Sequence, residues 1–166
     1  MISRSSEYAI RALTYMAQQG TGTFHLAQDM ARELGIPPAF LGKVLQPLVT
    51  RGILASQRGR GGGFRLARPP AEVTLADIIA TQENLERSRQ CVLGQGLCSD
   101  EHSCPLHHEW RSRTDSFLAK LDHMTLTDLL SYQRTHPESP YPYPNTVRAG
   151  QNGAAAIGQA ARSPLK

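Results

Sequence analysis

Three cysteines, the whole complement of the 166-residue chain, fall in one short window: Cys91-Val-Leu-Gly-Gln-Gly-Leu-Cys98-Ser-Asp-Glu-His-Ser-Cys104-Pro-Leu-His107. Six residues separate Cys91 from Cys98, five separate Cys98 from Cys104, and two separate Cys104 from His107. Soft thiolates beside an imidazole are the donors that a transition metal or an iron–sulfur cluster takes. Gly94 and Gly96 would let such a loop fold back on a cofactor. Cys104-Pro105 reads as a helix start, with Cys104 near the cap and His107 on the first turn. That places both side chains on one side, where the helix dipole favours a Cys104 thiolate. Structural zinc usually takes tight Cys-x-x-Cys pairs, so the wider spacing points away from zinc. Inert thiols usually lie in apolar surroundings, whereas these sit among Gly, Gln, Ser, Asp and Glu. His102 and His108 are less well placed and read as solvated surface residues. An odd cysteine count confined to one loop argues against a disulfide framework. A cysteine nucleophile would also need an orienting group and an oxyanion device, so no enzyme is expected.

The elements that carry this loop begin with a helix after Ser5. Ala9, Ala12, Leu13, Met16 and Ala17 recur at helical spacing, and Gly20 and Gly22 end the stripe. Phe24 falls in a short extended piece. A second helix carries Leu26, Met30, Ala31 and Leu34 and stops at Gly35. Ile36-Pro37-Pro38 is a tight connector, and proline suits the first turn of the helix that follows. This third helix buries Leu41, Val44, Leu45 and Leu48. Ala39, Gly42, Lys43 and Gln46 face outward, and Pro47 predicts a kink. Two short helices joined in this way form the helix-turn-helix pattern.

Two strand-like runs follow, Ile53-Leu54-Ala55-Ser56 and Phe64-Arg65-Leu66. The segment between them, Gln57-Arg58-Gly59-Arg60-Gly61-Gly62-Gly63, makes a hairpin with an Arg/Gly tip, the wing of a winged helix. Glycines allow positive φ and a close approach to a sugar-phosphate backbone. Residues 1–70 hold nine Lys/Arg against three Asp/Glu, while the remainder holds nine against eleven. Five arginines lie between Arg51 and Arg68 with no acid among them. That asymmetry is the footprint of a nucleic-acid binder. Lys43 and Gln46 are candidates for base edges in the major groove, and Arg58, Arg60 and Arg65 for backbone or minor-groove contacts.

Beyond Pro69-Pro70, Thr74-Leu75-Ala76-Asp77 predicts a capping box opening a helix with Leu75, Ile78, Ile79 and Gln82 on one side. After Pro105 a longer helix runs through Trp110, Thr114, Phe117, Leu118, Leu121 and Met124. Thr125 to Leu130 caps and starts a last short helix. From about Gln133, Pro, Gly, Ala, Asn and Gln dominate, which predicts a disordered tail over 133–166. The expected architecture is mainly α with a small β wing. A winged helix-turn-helix spans 1–70, and a loop with dimerisation helices spans 71–132. No apolar run reaches membrane-spanning length and no signal peptide is visible, so a cytoplasmic protein is expected.

These residues resemble the IscR/NsrR (Rrf-two) family of bacterial iron–sulfur regulators over about residues 1–132. The resemblance is carried by Tyr8-Ala9-Ile10-Arg11-Ala12-Leu13, Leu41-Gly42-Lys43-Val44-Leu45, Gly59-Arg60-Gly61-Gly62-Gly63-Phe64 and the three cysteines. It implies a homodimer that binds double-stranded DNA at half-sites related by two-fold symmetry. Its interface would be the helix after the cysteine loop, through a stripe of Phe117, Leu118, Leu121 and Met124. It also implies an iron–sulfur cluster on Cys91, Cys98 and Cys104, with 2Fe–2S the favoured form and 4Fe–4S the alternative. In IscR-like members the fourth ligand is a histidine three residues after the last cysteine, which matches His107. In NsrR-like members it is an acid on the first helix of the other subunit, the kind of position Glu7 holds. No small-molecule substrate is implied. A zinc- or thiol-based switch on the same scaffold is the alternative. The chain departs from the family pattern twice: the first cysteine gap is six residues rather than five, and Gly42 replaces an acidic recognition-helix residue.

Overall fold

Ser3 begins the first helix. Its hydroxyl accepts the Ser6 N–H as an N-cap, and α1 runs Arg4–Gln19, two residues earlier than the expected start. The computed structural model describes residues 2–143. Every member of the expected α1 stripe is buried. Helix α2 spans Ala27–Leu34 and ends at Gly35, whose left-handed φ of 61° closes the helix. Leu26, expected on its buried face, is the cap residue and is half-exposed. Helix α3, Pro38–Thr50, opens on proline and continues through Pro47. Pro47 has no N–H to give the Lys43 carbonyl.

The wing is an antiparallel pair, β1 (Leu54–Gln57) and β2 (Gly63–Leu66), in the register Leu54↔Leu66 to Gln57↔Gly63. Leu54, Phe64 and Leu66 turn inward. His25 adds an isolated bridge to β2 by exchanging both backbone hydrogen bonds with Phe64, at 2.8 and 2.9 Å. Two wing glycines are set by the fold rather than by any ligand. A Cβ on Gly62 would lie 2.2 Å from the Gln57 carbonyl oxygen. One on Gly63, at φ +134°, would lie 2.2 Å from that of His25. At the tip, Gly59 and Gly61 also have positive φ but face open space.

Helix α4 (Leu75–Ile79) and helix α6 (Leu126–Thr135) each open on a capping box, Thr74 with Asp77 and Thr125 with Asp128. The two caps sit side by side. Leu75 N–H donates to Met124 O at 2.8 Å, and Leu126 N–H donates to Val73 O at 3.0 Å. Between these helices lie the cysteine loop and α5 (His107–His123). One apolar core joins α1, α2, α3 and the wing to Val73, Ile78, Ile79, Leu118, Leu121 and Leu126. The expected boundary at residue 70 is therefore a change of element type, not a break in the core.

Two expectations need correction. Leu118 and Leu121 are not part of an exposed stripe: they fill this core at 7 and 5 % exposure, and Met124 packs against it, leaving Phe117 outside. The predicted tail also begins too early. Helix α6 continues to Thr135, and the chain then returns to α1, where Tyr141 Oη and Thr14 Oγ1 are 3.0 Å apart. Prolines here shape a strap instead of an unstructured end. The rest of the predicted tail lies outside the described residues.

Candidate metal centre and DNA interface

A small backbone ring shapes the cysteine loop. Cys98 N–H donates to Arg89 O at 3.0 Å and Cys91 N–H to Gly96 O at 2.6 Å. Gly94 (φ +82°) and Gly96 (φ +88°) supply the left-handed turns that reverse the chain. The indole N–H of Trp110 on α5 donates to Gln90 O at 2.8 Å and anchors the loop to the helix. The second half of the loop reaches α5 through a Cys104–His107 turn, with His107 N–H donating to Cys104 O at 2.9 Å. Helix α5 therefore starts at His107, later than Cys104-Pro105 suggests; Pro105 and Leu106 lie in the turn.

This sets the four expected ligands in two close pairs. Cys91 Sγ lies 3.7 Å from Cys104 Sγ, and Cys98 Sγ lies 3.1 Å from His107 Nδ1. Cys91, Cys104 and His107 are buried, and Cys98 is half-buried. Backbone N–H groups of Gln95, Leu93 and Gly94 around Cys91 hold its thiol below the ordinary cysteine range. Burial pushes Cys98 the other way, and negative charge on Cys91 and Cys104 pushes it further. Among the described residues, no three His, Cys, Asp or Glu side chains converge on one metal-ion position.

His107 is held from both sides of its ring. Its Nε2 lies 2.9 Å from Asp100 Oδ1, and Asp100 Oδ2 accepts from Arg111 Nη1 at 2.6 Å. The Arg111 guanidinium keeps the Asp100 carboxyl below the usual carboxylate range. Sequence reasoning missed both partners. Arg111 carried a usable signal, since it stands four residues after His107 on one helix face. Asp100 lies inside the loop, where only the fold could aim it.

Glu7 is engaged within its own helix, 3.0 Å from Arg4 Nη1 and 3.4 Å from Arg11 Nη1. Arg11 is a further residue missed from sequence. It is buried, and its Nε donates to Pro142 O at 2.8 Å while its Nη2 donates to Leu34 O.

In the winged helix, Lys43 and Gln46 are exposed on α3 and line one open groove with Thr50 and Arg51. Arg58 and Arg60 are exposed at the wing tip. Arg65 is different: half-buried, it holds its guanidinium 5.1 Å from the Phe24 ring centroid. A convex helix beside a basic hairpin is the shape that enters a major groove and straddles its backbone.

Comparison with known proteins agrees with this architecture. The profile of the Rrf2 family, described as iron-dependent transcriptional regulators, matches residues 2–132. An HTH-type transcriptional regulator of Mycobacterium tuberculosis is 36 % identical over 129 residues, spanning 77 % of this chain and 80 % of that one. Protein aau3 of Rhizobium meliloti is 34 % identical over 130 residues, spanning 78 % and 84 %. The solved structure of CymR, the global cysteine regulator of B. subtilis, superposes with a TM-score of 0.67 at 25 % identity. It covers 80 % of this chain and 97 % of CymR. T. potens IscR shares the fold, with a TM-score of 0.62 at 24 % identity over 79 % of this chain and 86 % of that one. No helix among the described residues is long and apolar enough to cross a membrane. Winged-helix architecture, basic hairpin and family profile agree: the chain belongs to the Rrf2 family of DNA-binding transcriptional regulators.

Proposed function

We propose that this regulator senses redox, nitric oxide or iron status through an iron–sulfur cluster held by Cys91, Cys98, Cys104 and His107, and that the cluster's state sets promoter affinity. The observation that carries the reading is the gathering of those four donors, from two halves of a loop and a helix start, into two close pairs. Two thiolates on one tetrahedral metal, at a metal–sulfur distance of about 2.3 Å, are separated by roughly 3.8 Å. The 3.7 Å between Cys91 and Cys104 suits that arrangement. Two pairs suit a two-iron cluster better than a single zinc ion, which needs all its donors at one point. Such a cluster supplies one-electron chemistry and lability toward oxidants. The protein's part is to hold the donors and keep Cys91 ready to ionise.

His107 is preferred to Glu7 as fourth ligand because His107 already faces Cys98, while Glu7 is paired with two arginines. DNA contact is assigned to Lys43 and Gln46 toward base edges and to Arg58 and Arg60 toward phosphates. Arg65 has a smaller share because of its place over Phe24. A homodimer would set two α3 helices on symmetric half-sites. Exposed Phe117 and Ile2, which line a hollow of about 300 Å³ with Leu85 and Trp110, are the surface it would use.

The test is anaerobic purification followed by iron, sulfide and zinc analysis and DNA binding to the gene's own promoter region. Iron with acid-labile sulfide, and DNA binding that changes when the cluster is oxidised or lost, is the expected result. A Cys98→Ala variant that binds DNA as the wild type does under every redox condition would sink the proposal. A thiol switch is the second reading, favoured by the proximity of Cys91 and Cys104. It predicts a metal-free protein whose DNA binding follows reversible oxidation of that pair.

A further inference from the structure

Resting on the cluster reading above, we infer that His107 would ligate through Nδ1, and that Asp100, braced by Arg111, is the positioning residue that decides this. Imidazole has two ring nitrogens, and a neutral ring carries one proton. The hydrogen bond made by one nitrogen fixes which other nitrogen is free to ligate. Here Nε2 faces a carboxylate oxygen at 2.9 Å. A carboxylate only accepts, so the proton resides on Nε2 and the lone pair on Nδ1. That lone pair faces Cys98 Sγ, 3.1 Å away.

The carboxylate is itself oriented. Its second oxygen accepts from Arg111 Nη1 at 2.6 Å. Arg111 also approaches Asp115, with Nε 3.8 Å from Oδ2, and Asp115 in turn pairs with Arg89 at the root of the loop. His107, Arg111 and Asp115 follow one another at four-residue steps on α5, so one helix face presents three members of the chain of contacts, and the loop supplies Asp100 and Arg89. His107 is 2 % exposed, whereas the Asp100 side chain is 72 % exposed. The ring cannot turn over without moving its neighbours, and its outer nitrogen reaches an ionised group at the surface. A carboxylate on the remote nitrogen makes the imidazole a stronger electron donor. Asp100 would therefore hold the cluster's reduction potential down.

The experiment uses full-length protein reconstituted with ferrous iron and sulfide, grown with histidine labelled with nitrogen-15 at either Nδ1 or Nε2 alone. In the reduced cluster, electron–nuclear spectroscopy should show the strongly coupled nitrogen changing isotope with the Nδ1 label only. The signal should vanish in His107→Ala. Asp100→Asn, which keeps an acceptor oxygen without its charge, should retain the cluster while its potential moves upward. Arg111→Gln, which keeps the Asp100 charge but removes its brace, should lose iron to a chelator faster than wild type and slower than Asp100→Ala. Asp100→Ala should lose iron to a chelator at least tenfold faster. A coupled Nε2 label, or potential and chelation rate unchanged in Asp100→Ala, would overturn the inference and leave the cluster reading standing. A nitrogen signal that survives His107→Ala would overturn it as well. Wild-type protein that takes up no iron and sulfide would overturn both.

Discussion

The winged helix and the cysteine loop are built from different materials. The first is held by apolar packing: Leu13, Met16, Leu34, Leu41, Leu45 and Leu48 are all nearly inaccessible. The second is held by a few backbone hydrogen bonds and two left-handed glycines, and its apolar side chains face outward. Val92, Leu93, Leu97 and Leu106 are 46 to 68 % exposed. Apolar burial is roughly additive and hard to reverse, whereas a short hydrogen-bonded loop opens locally at small cost. The contrast puts the apolar core under the winged helix and leaves the cysteine loop, joined to it through α5, the easier of the two to open.

The largest effect that tests this contrast is in the core. Leu45→Ala should cost about 2–5 kcal/mol, read from urea unfolding of metal-free protein. Cys98→Ser in the same metal-free protein should cost less than about 1 kcal/mol. Equal losses would break the comparison. A second probe enters the wing. Gly63→Ala places a Cβ against the His25 carbonyl in a left-handed conformation, and should cost about 1–3 kcal/mol in thermal unfolding. Gly59→Ala, strained but in open space, should cost less.

Effects on DNA binding come next, without loss of stability. Replacing Arg58 and Arg60 by alanine should flatten the dependence of log affinity on log salt by about 0.9 for each phosphate left without its arginine. Lys43→Ala or Gln46→Ala should instead alter discrimination among operator sequences. An unchanged salt slope in the arginine pair variant would take the wing tip out of the interface.

The smallest effect concerns Glu83, which joins the segment after α4 to the start of α1. Its Oε1 accepts Ser3 N–H at 2.8 Å and the Ser6 hydroxyl. Burial alone would raise this carboxyl, but the Ser3 and Ser6 hydrogen bonds outweigh it and the net shift is downward. A carboxyl depressed in the folded state stabilises above its unfolded value, about 4.3, and loses that contribution as pH falls through the folded value. Glu83→Gln should thus cost about 1 kcal/mol at pH 7. The gap to wild type should close below about pH 4. A gap independent of pH would mean the carboxylate charge does not matter.

Much of this organisation is legible in the sequence because it is periodic or local. The α1 stripe, the prolines opening α3, the hairpin tip and the two capping boxes each leave a short-range signal. What escaped is non-local. Leu118 and Leu121 look like an interface stripe until α5 is packed on α4, since one helix cannot show which surface covers it. Tyr141 and Pro142 sit in a composition typical of disorder, yet α1 offers them specific partners. The site divides the same way: spacing marks Cys91, Cys98, Cys104 and His107, but Asp100 and Arg111 are found only once the loop is closed.

Arg11 carries a consequence for the order in which the protein is completed. Its guanidinium is bound by groups in α1, α2 and the strap, and the last of these acceptors, Pro142 O, lies 131 residues downstream. During synthesis the first helix leaves the ribosome long before that carbonyl exists. Until then one guanidinium donor must be served by water in a place the finished molecule closes. The strap therefore seals the first helix, and a chain cut short of Pro142 would leave the buried Arg11 Nε–H without its acceptor.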